Sequence, residues 1–267
     1  MRSLLNEAER GARGNLKARL ARQELTIGTW VSLAHPAVAE IMGRAGFDWV
    51  VLDTEHSVID TSDIQPLLQA LDASGCPALI RLTSNHPDQI KRAMDAGATG
   101  VMVPMVATAA QARAAVDAVY YPPRGQRGVG LARAQGYGAG FRDYVEWLEK
   151  QAVIIVMIEH IDAIARMDEI LAVPGVDGFI IGPYDLSASM GKPGAFGDAD
   201  VIAAIDAIRE GGRRAGKPGG LHVVEPDWAL LRQHIESGFR FLGYGVDIRI
   251  LDAVCRRDLA AIRAPDA

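Results

Sequence analysis

Cysteine is nearly absent. The 267 residues hold two, Cys76 and Cys255, and neither belongs to a C-x-x-C pair. A disulfide framework and a thiolate zinc site are therefore not expected, and a reducing cytoplasm is the natural compartment. No run of about 18 apolar residues occurs, so no membrane span is expected. The opening MRSLLNEAERGARGNLKARL carries charge throughout and lacks the apolar core of a secretory signal. No basic block stands out and the net charge is −5, which leaves nucleic acid without an electrostatic footprint. An anionic small molecule would have to be held by local cations. Two chemical signatures are also missing: G-x-G-x-x-G after the first apolar run, which marks dinucleotide-binding sheets, and H-E-x-x-H, which marks zinc hydrolases.

What is present is a large apolar content, 49% hydrophobic against 23% charged residues, as in a globular enzyme with a sizeable core. Eight short β-rich runs recur: TIGTWVSL, DWVVLD, PALIRL, GVMVPM, VIIVMIE, DGFIIG, GGLHVV and RFLGYG. They are apolar on both alternations, as buried parallel strands are. Helical patterns lie between them. Residues 36–45 start at Pro36 and space Val38, Ile41, Met42 and Ala45 along one face; residues 87–96 start at Pro87 and stop at Gly97. Residues 226–237 and 247–262 behave similarly. Eight alternations argue for a closed (β/α)8 barrel, with an open doubly wound sheet as the rival. The expected organisation is an N-terminal helical segment over residues 1–24, with a polar helix outside the barrel at 3–22, and one barrel domain over 25–267. Two long connections, about 105–151 and 183–217, follow strands and are expected on the C-terminal face, where barrel enzymes keep their chemistry.

Polar residues gather at the strand ends. Asp53, Thr54, Glu55 and His56 end the second strand, Arg81 the third, Glu159 the fifth, and Gly182-Pro183-Tyr184-Asp185 the sixth. Glu159 and Asp185 form a candidate hard-cation site, since two carboxylates leave room for water and substrate oxygens, as Mg²⁺ or Mn²⁺ prefers. The competing reading is a strand-end carboxylate paired with an arginine such as Arg81. The backbone N–H groups of Tyr184 and Asp185 are placed to face a substrate carboxylate, against the alternative of a plain turn with Asp185 as helix cap. No lysine ends the fifth, sixth or seventh strand, so a Schiff base has no evident nucleophile.

LDTEHS (52–57), IRL (80–82), AGATGVMVPMV (96–106), YPPRGQRGVG (121–130), MIE (157–159) and GPYDLSASMG (182–191) resemble the HpcH/HpaI aldolase family. The likeness spans roughly residues 20–255. That family includes 4-hydroxy-2-oxoheptanedioate aldolase and 2-keto-3-deoxy-sugar-acid aldolases. The resemblance implies class II chemistry: reversible aldol cleavage of a 4-hydroxy-2-oxo acid to pyruvate, or a similar 2-oxo acid, and an aldehyde. Glu159 and Asp185 would hold a divalent metal (Mg²⁺, Mn²⁺ or Co²⁺) that chelates the 2-oxo acid. Arg81 would lie beside the keto oxygen, His56 would be the acid/base, and the assembly would be a homohexamer.

Asp95 matches an acidic residue that supports the catalytic histidine in the family. It falls in the last turn of a helix, where the macrodipole disfavours negative charge, and that end points to the base of a barrel. Both facts fit service to a neighbouring subunit; a solvated helix-end Asp is the alternative, and Asp53 is the in-chain alternative partner for His56. One departure stands out: Met157 occupies a position where several relatives carry Gln. Tyr184 and the loop after the fourth strand are candidates to shape the aldehyde pocket, and Arg124 and Arg127 to contact an acidic acceptor. His222 and His35 are rim candidates, Trp30 a packing residue, and His86, His160 and His234 surface or helix-end residues. The rival functions are a related enolate enzyme, either a citrate-lyase-β-like or malyl-CoA-lyase-like protein or an oxaloacetate decarboxylase, and a non-catalytic ligand-binding barrel.

Overall fold

Side chains alternate between the two faces of a strand, so a strand buried on both faces must be apolar at every position. The computed structural model describes residues 15–264. Its strands are β1 (Thr26–Val31), β2 (Trp49–Asp53), β3 (Ala78–Arg81), β4 (Gly100–Val103), β5 (Val153–Ile158), β6 (Gly178–Ile181), β7 (Gly219–Val223) and β8 (Phe241–Val246). They pair in chain order, all parallel, and β8 returns to β1 to close the barrel. The fold is the expected (β/α)8 barrel.

Alternation divides the core in two. Val50, Leu52, Ile80, Val101, Val103, Ile154, Val156, Ile158 and Leu242 face outward to the helices. Trp30, Trp49, Val51, Leu79, Met102, Ile155, Met157, Ile180 and Phe241 fill the barrel interior. Trp49 stacks on Phe241 with centroids 4.1 Å apart, and Trp30 meets Trp49 edge-on at 5.6 Å. Room for these rings comes from facing glycines: a Cβ on Gly28 would overlap the Trp49 ring, and one on Gly243 the Trp30 ring.

The N-terminal helix is described over Leu16–Ala21, with Asn15 as its cap; the rest of the segment expected at 1–24, up to residue 14, lies outside the described residues. The helix is not polar all round, as expected for 3–22. Leu16 and Leu20 are buried and join the barrel-interior cluster, closing its base. Lys17 Nζ fastens the helix there, 2.7 Å from Asp177 Oδ1 and 2.7 Å from the carbonyl of Ala152.

The expected long connections need correction. After β4 the chain forms a helix, Ala109–Val119, and so has returned to the base before YPPRGQRGVGLARAQGYG begins. That stretch and the helix Phe141–Gln151 lie on the N-terminal face, leaving only about residues 104–108 of the first connection at the C-terminal rim. The second connection does begin at the rim, with the helix Pro183–Ser189, and returns through Ala199–Ala215. In the helix Pro36–Arg44 the buried residues are Ala39, Met42 and Gly43, whereas Ile41 is exposed. Small residues let this helix sit close to Thr61–Ser74: a Cβ on Gly43 would overlap Ser74 Oγ.

Candidate active site

The inward rows of β2, β3 and β5 each end in a charged residue at the C-terminal mouth. Trp49 and Val51 lead to Asp53, Leu79 leads to Arg81, and Ile155 and Met157 lead to Glu159. The β2–β3 register sets Asp53 directly beside Arg81. Arg81 donates Nε–H to Asp53 Oδ1 at 2.9 Å and Nη2–H to Oδ2 at 2.5 Å. This two-point contact fixes the plane of the guanidinium. Asp53 Oδ1 also accepts the backbone N–H groups of Glu55 (3.0 Å) and His56 (3.2 Å). Burial works against the Asp53 charge, but Arg81 and these N–H groups hold its carboxyl below the usual range.

Asp53 is thus committed to Arg81 and to the backbone, and does not hold the His56 ring. The carboxylate beside that ring is Glu55, whose Oε2 lies 3.8 Å from His56 Nε2 and 3.5 Å from Arg81 Nη1. Burial pushes the Glu55 carboxyl up, against the pull of Arg81. The His56 side chain is 64% exposed, open to exchange protons with solvent.

Glu159 is 2% exposed, and its Oε1 accepts the Met105 N–H at 2.6 Å. Met105 carries φ of 55°, a left-handed conformation uncommon outside glycine, and so turns its N–H to the carboxylate. On the other side lies Gly182, where a Cβ would overlap Glu159 Oε2. Burial pushes the Glu159 carboxyl up to about 7, with the charges of Glu55 and Asp185 adding to it. Asp185 is exposed in the first turn of Pro183–Ser189, whose N-cap is Gly182 rather than Asp185. The first bond of this turn runs from Leu186 N–H to the Gly182 carbonyl, leaving Tyr184 and Asp185 N–H ahead of it.

Among the described residues no three His, Cys, Asp or Glu side chains gather to cage an ion. A pair of carboxylates with an uncompensated buried charge suits a hard cation that keeps several waters, as Mg²⁺ does. Arg81 takes Asp53 and Glu55 rather than these two, so the arginine-paired alternative for Glu159 and Asp185 does not hold.

Asp95 ends the helix Pro87–Asp95 at the base, where burial pushes its carboxyl up against the charges of Arg127 and Lys91; the structure does not bring it to His56 of the same chain. Tyr184 is exposed at the rim, edge-on to Phe196 with centroids 4.8 Å apart. Met157 lies inside the barrel below Glu159. His222 stacks on Trp30 at 3.9 Å, and its Nε2 is 2.9 Å from the Gly245 carbonyl. His35, His86 and His160 cap helices. Arg124 pairs with Glu149, and Arg127 is buried against Tyr144; both are at the base, away from the mouth of their own barrel. Sequence reasoning gave no role to Glu55, Met105 or Gly182. Only Glu55 carried a signal, as a further strand-end carboxylate beside His56.

Residues 26–252 match the HpcH/HpaI aldolase/citrate lyase family. The chain belongs to that family. It is 42% identical over 237 residues to a hydroxypyruvate/pyruvate aldolase of Pseudomonas aeruginosa, covering 88% of this chain and 87% of that one. It is 38% identical over 252 residues to a 2-dehydro-3,6-dideoxy-6-sulfogluconate aldolase of Pseudomonas putida, covering 93% and 98%. A solved HpcH/HpaI aldolase/citrate lyase family structure from Burkholderia cenocepacia J2315 superposes with a TM-score of 0.88 at 34% identity, covering 93% and 99%. The named relatives are aldolases, carbon–carbon lyases, and this member of the family is an enzyme of that class. No helix among the described residues is long and apolar enough to cross a membrane.

Proposed function

We propose that this enzyme catalyses reversible aldol cleavage of a 4-hydroxy-2-oxo acid to pyruvate, or a close 2-oxo acid such as hydroxypyruvate, and an aldehyde. The observation that carries this reading is Arg81, locked on one edge by Asp53 and facing the same mouth as Glu159 and Asp185, which make no ion pair among the described residues. Glu159 and Asp185 would hold a divalent cation (Mg²⁺, Mn²⁺ or Co²⁺), which when bound supplies Lewis acidity toward the oxygens of a 2-oxo acid. Arg81 has its Nε and Nη2 engaged by Asp53, and Nη1, held only by the longer 3.5 Å approach to Glu55 Oε2, keeps an N–H to meet charge developing on a keto oxygen. The N–H groups of Tyr184 and Asp185 support binding of the substrate carboxylate. His56, open to solvent, moves the proton between carbon or aldehyde oxygen and the medium. Tyr184 and the segment around Met105 flank the aldehyde side. Asp95 would serve a second copy of the chain, in the homohexamer that the family likeness implies, because its own mouth is at the other end of the barrel.

The test separates enolisation from aldehyde choice. With metal and pyruvate alone in D₂O, the enzyme is expected to erase the pyruvate methyl ¹H signal. Glu159→Ala and chelated controls should not, and Arg81→Lys should be strongly slowed. Exchange no faster than these controls at any pH from about 6 to 9, a range bracketing histidine titration, would exclude pyruvate as the carbon acid. Full activity after exhaustive chelation would exclude the metal.

A further inference from the structure

The base of the barrel carries a buried cation that the chemistry at the mouth does not use. Arg127 is 3% exposed. Its guanidinium lies over the Tyr121 ring, 4.3 Å from the centroid, and near the Tyr144 ring at 5.4 Å. Nη2–H donates to the Tyr144 hydroxyl at 2.9 Å, while among the described residues Nε and Nη1 have no hydrogen-bond partner. A buried guanidinium left half unmatched is costly unless a charge offsets it. Its charge acts on Asp95 without a hydrogen bond between the two side chains: burial pushes the Asp95 carboxyl up, Arg127 and Lys91 pull it back, and its buried Oδ1 has no partner among the described residues.

The same segment grips the backbone around Asp95. The Tyr144 hydroxyl donates to the Met94 carbonyl at 3.2 Å, and Arg133 Nη1 donates to the Ala96 carbonyl at 2.9 Å. Gly97 makes room for the second contact, since a Cβ there would meet Arg133 Nη1 at 2.5 Å. Met94 and Ala96 flank Asp95 at the negative end of the helix dipole, where a carboxylate is least welcome. The two arginines and the phenol supply what that position lacks. The groups facing Asp95 are Arg127 and Tyr144 from the segment packed beneath it and Lys91 from its own helix.

We propose that Arg127 is a positioning residue for the aldol reaction, acting through Asp95: by way of the Tyr144 hydroxyl it braces the backbone that carries that carboxylate, and it brings a buried positive charge to that end of the helix. The proposal rests on the reading above that Asp95 takes part in turnover. An arginine serving only to pack the loop would affect stability but would not act through Asp95.

The experiment is a double-variant cycle on the metal-loaded full-length enzyme, with kcat, KM and the pH profile read for each variant. Arg127→Met is expected to lower kcat and move the acid limb of the profile up by about one unit, equivalent to about tenfold in rate on that limb. KM for the 2-oxo acid should hold, because Arg127 acts through Asp95 and not on Arg81, Glu159 or Asp185, the groups that would bind the 2-oxo acid. Arg127→Lys should restore the limb. Arg127→Met combined with Asp95→Asn should be as slow as Asp95→Asn alone, within about twofold. Losses that multiply, or an unmoved limb in a folded Arg127→Met enzyme, overturn the proposal while leaving the role of Asp95 standing. An Asp95→Asn enzyme as fast as wild type overturns that role and the proposal with it. Should Arg127→Met not fold, Tyr144→Phe takes its place, with a smaller shift of the limb in the same direction expected and an unmoved limb overturning the proposal.

Discussion

Asp53 does more for the site than its position suggests. It accepts two N–H groups from Arg81 and two from the backbone of Glu55 and His56, so one carboxylate sets both the cation and the turn bearing the candidate acid/base. Asp53→Asn preserves shape but loses charge and half the acceptor capacity. The expected outcome is a fall in kcat of about 10²-fold, the scale of losing an aligned electrostatic group, with the melting temperature little changed; wild-type turnover would refute it. His222 provides a pH test. Burial pushes its imidazole down to about 4, against the Gly245 carbonyl. The unfolded chain then binds a proton below about 6.5 that the folded chain refuses, so the contribution is flat above that pH and stability falls as pH drops toward 4. The slope is roughly 1.4 kcal/mol per unit between those limits. Denaturant titrations of His222→Phe against wild type should show the difference in slope there and nowhere above pH 7. At this scale the sequence displayed the right residues but not their pairing. Asp53 reads as a partner for His56 because the two are neighbours in the chain; the β2–β3 register that hands Asp53 to Arg81 is a relation between strands.

Among the elements, the strands were the most legible, because a strand buried on both faces leaves an unbroken apolar run. Period two then dictates that Asp53, Arg81 and Glu159 continue the inward rows of Val51, Leu79 and Met157. The helix Ala109–Val119 was not legible: AAQARAAVDAV is largely alanine, which buries without making a strong apolar stripe. Missing it placed residues 120–151 at the wrong end of the barrel, and Arg127 with them. The short N-terminal helix shows the opposite fault, since its many charges hid the function of two leucines. Leu20 is fully buried under the barrel interior. Leu20→Ala is expected to cost about 2–5 kcal/mol in denaturant unfolding, with kcat unchanged if the mouth is unaffected. A cost under about 0.5 kcal/mol, the range of surface changes, would mean that the helix does not close the base.

Taken whole, the molecule grades from sealed to open along the barrel axis. Leu16 and Leu20 close the lower end, aromatic rings fill the middle, Glu159 and Asp53 are buried near the top, and His56, Tyr184 and Asp185 are exposed above them. Traffic therefore has a single lane. If the 2-oxo acid takes the deep position against Arg81 and Glu159, an aldehyde can only arrive on top of it, and an aldehyde that enters first obstructs the way down. The kinetic mechanism is then one of compulsory order: 2-oxo acid on first and off last. In the synthetic direction, an unreactive aldehyde analogue should inhibit competitively against aldehyde and uncompetitively against the 2-oxo acid. A pattern competitive against the 2-oxo acid would mean that the two compete for the same depth.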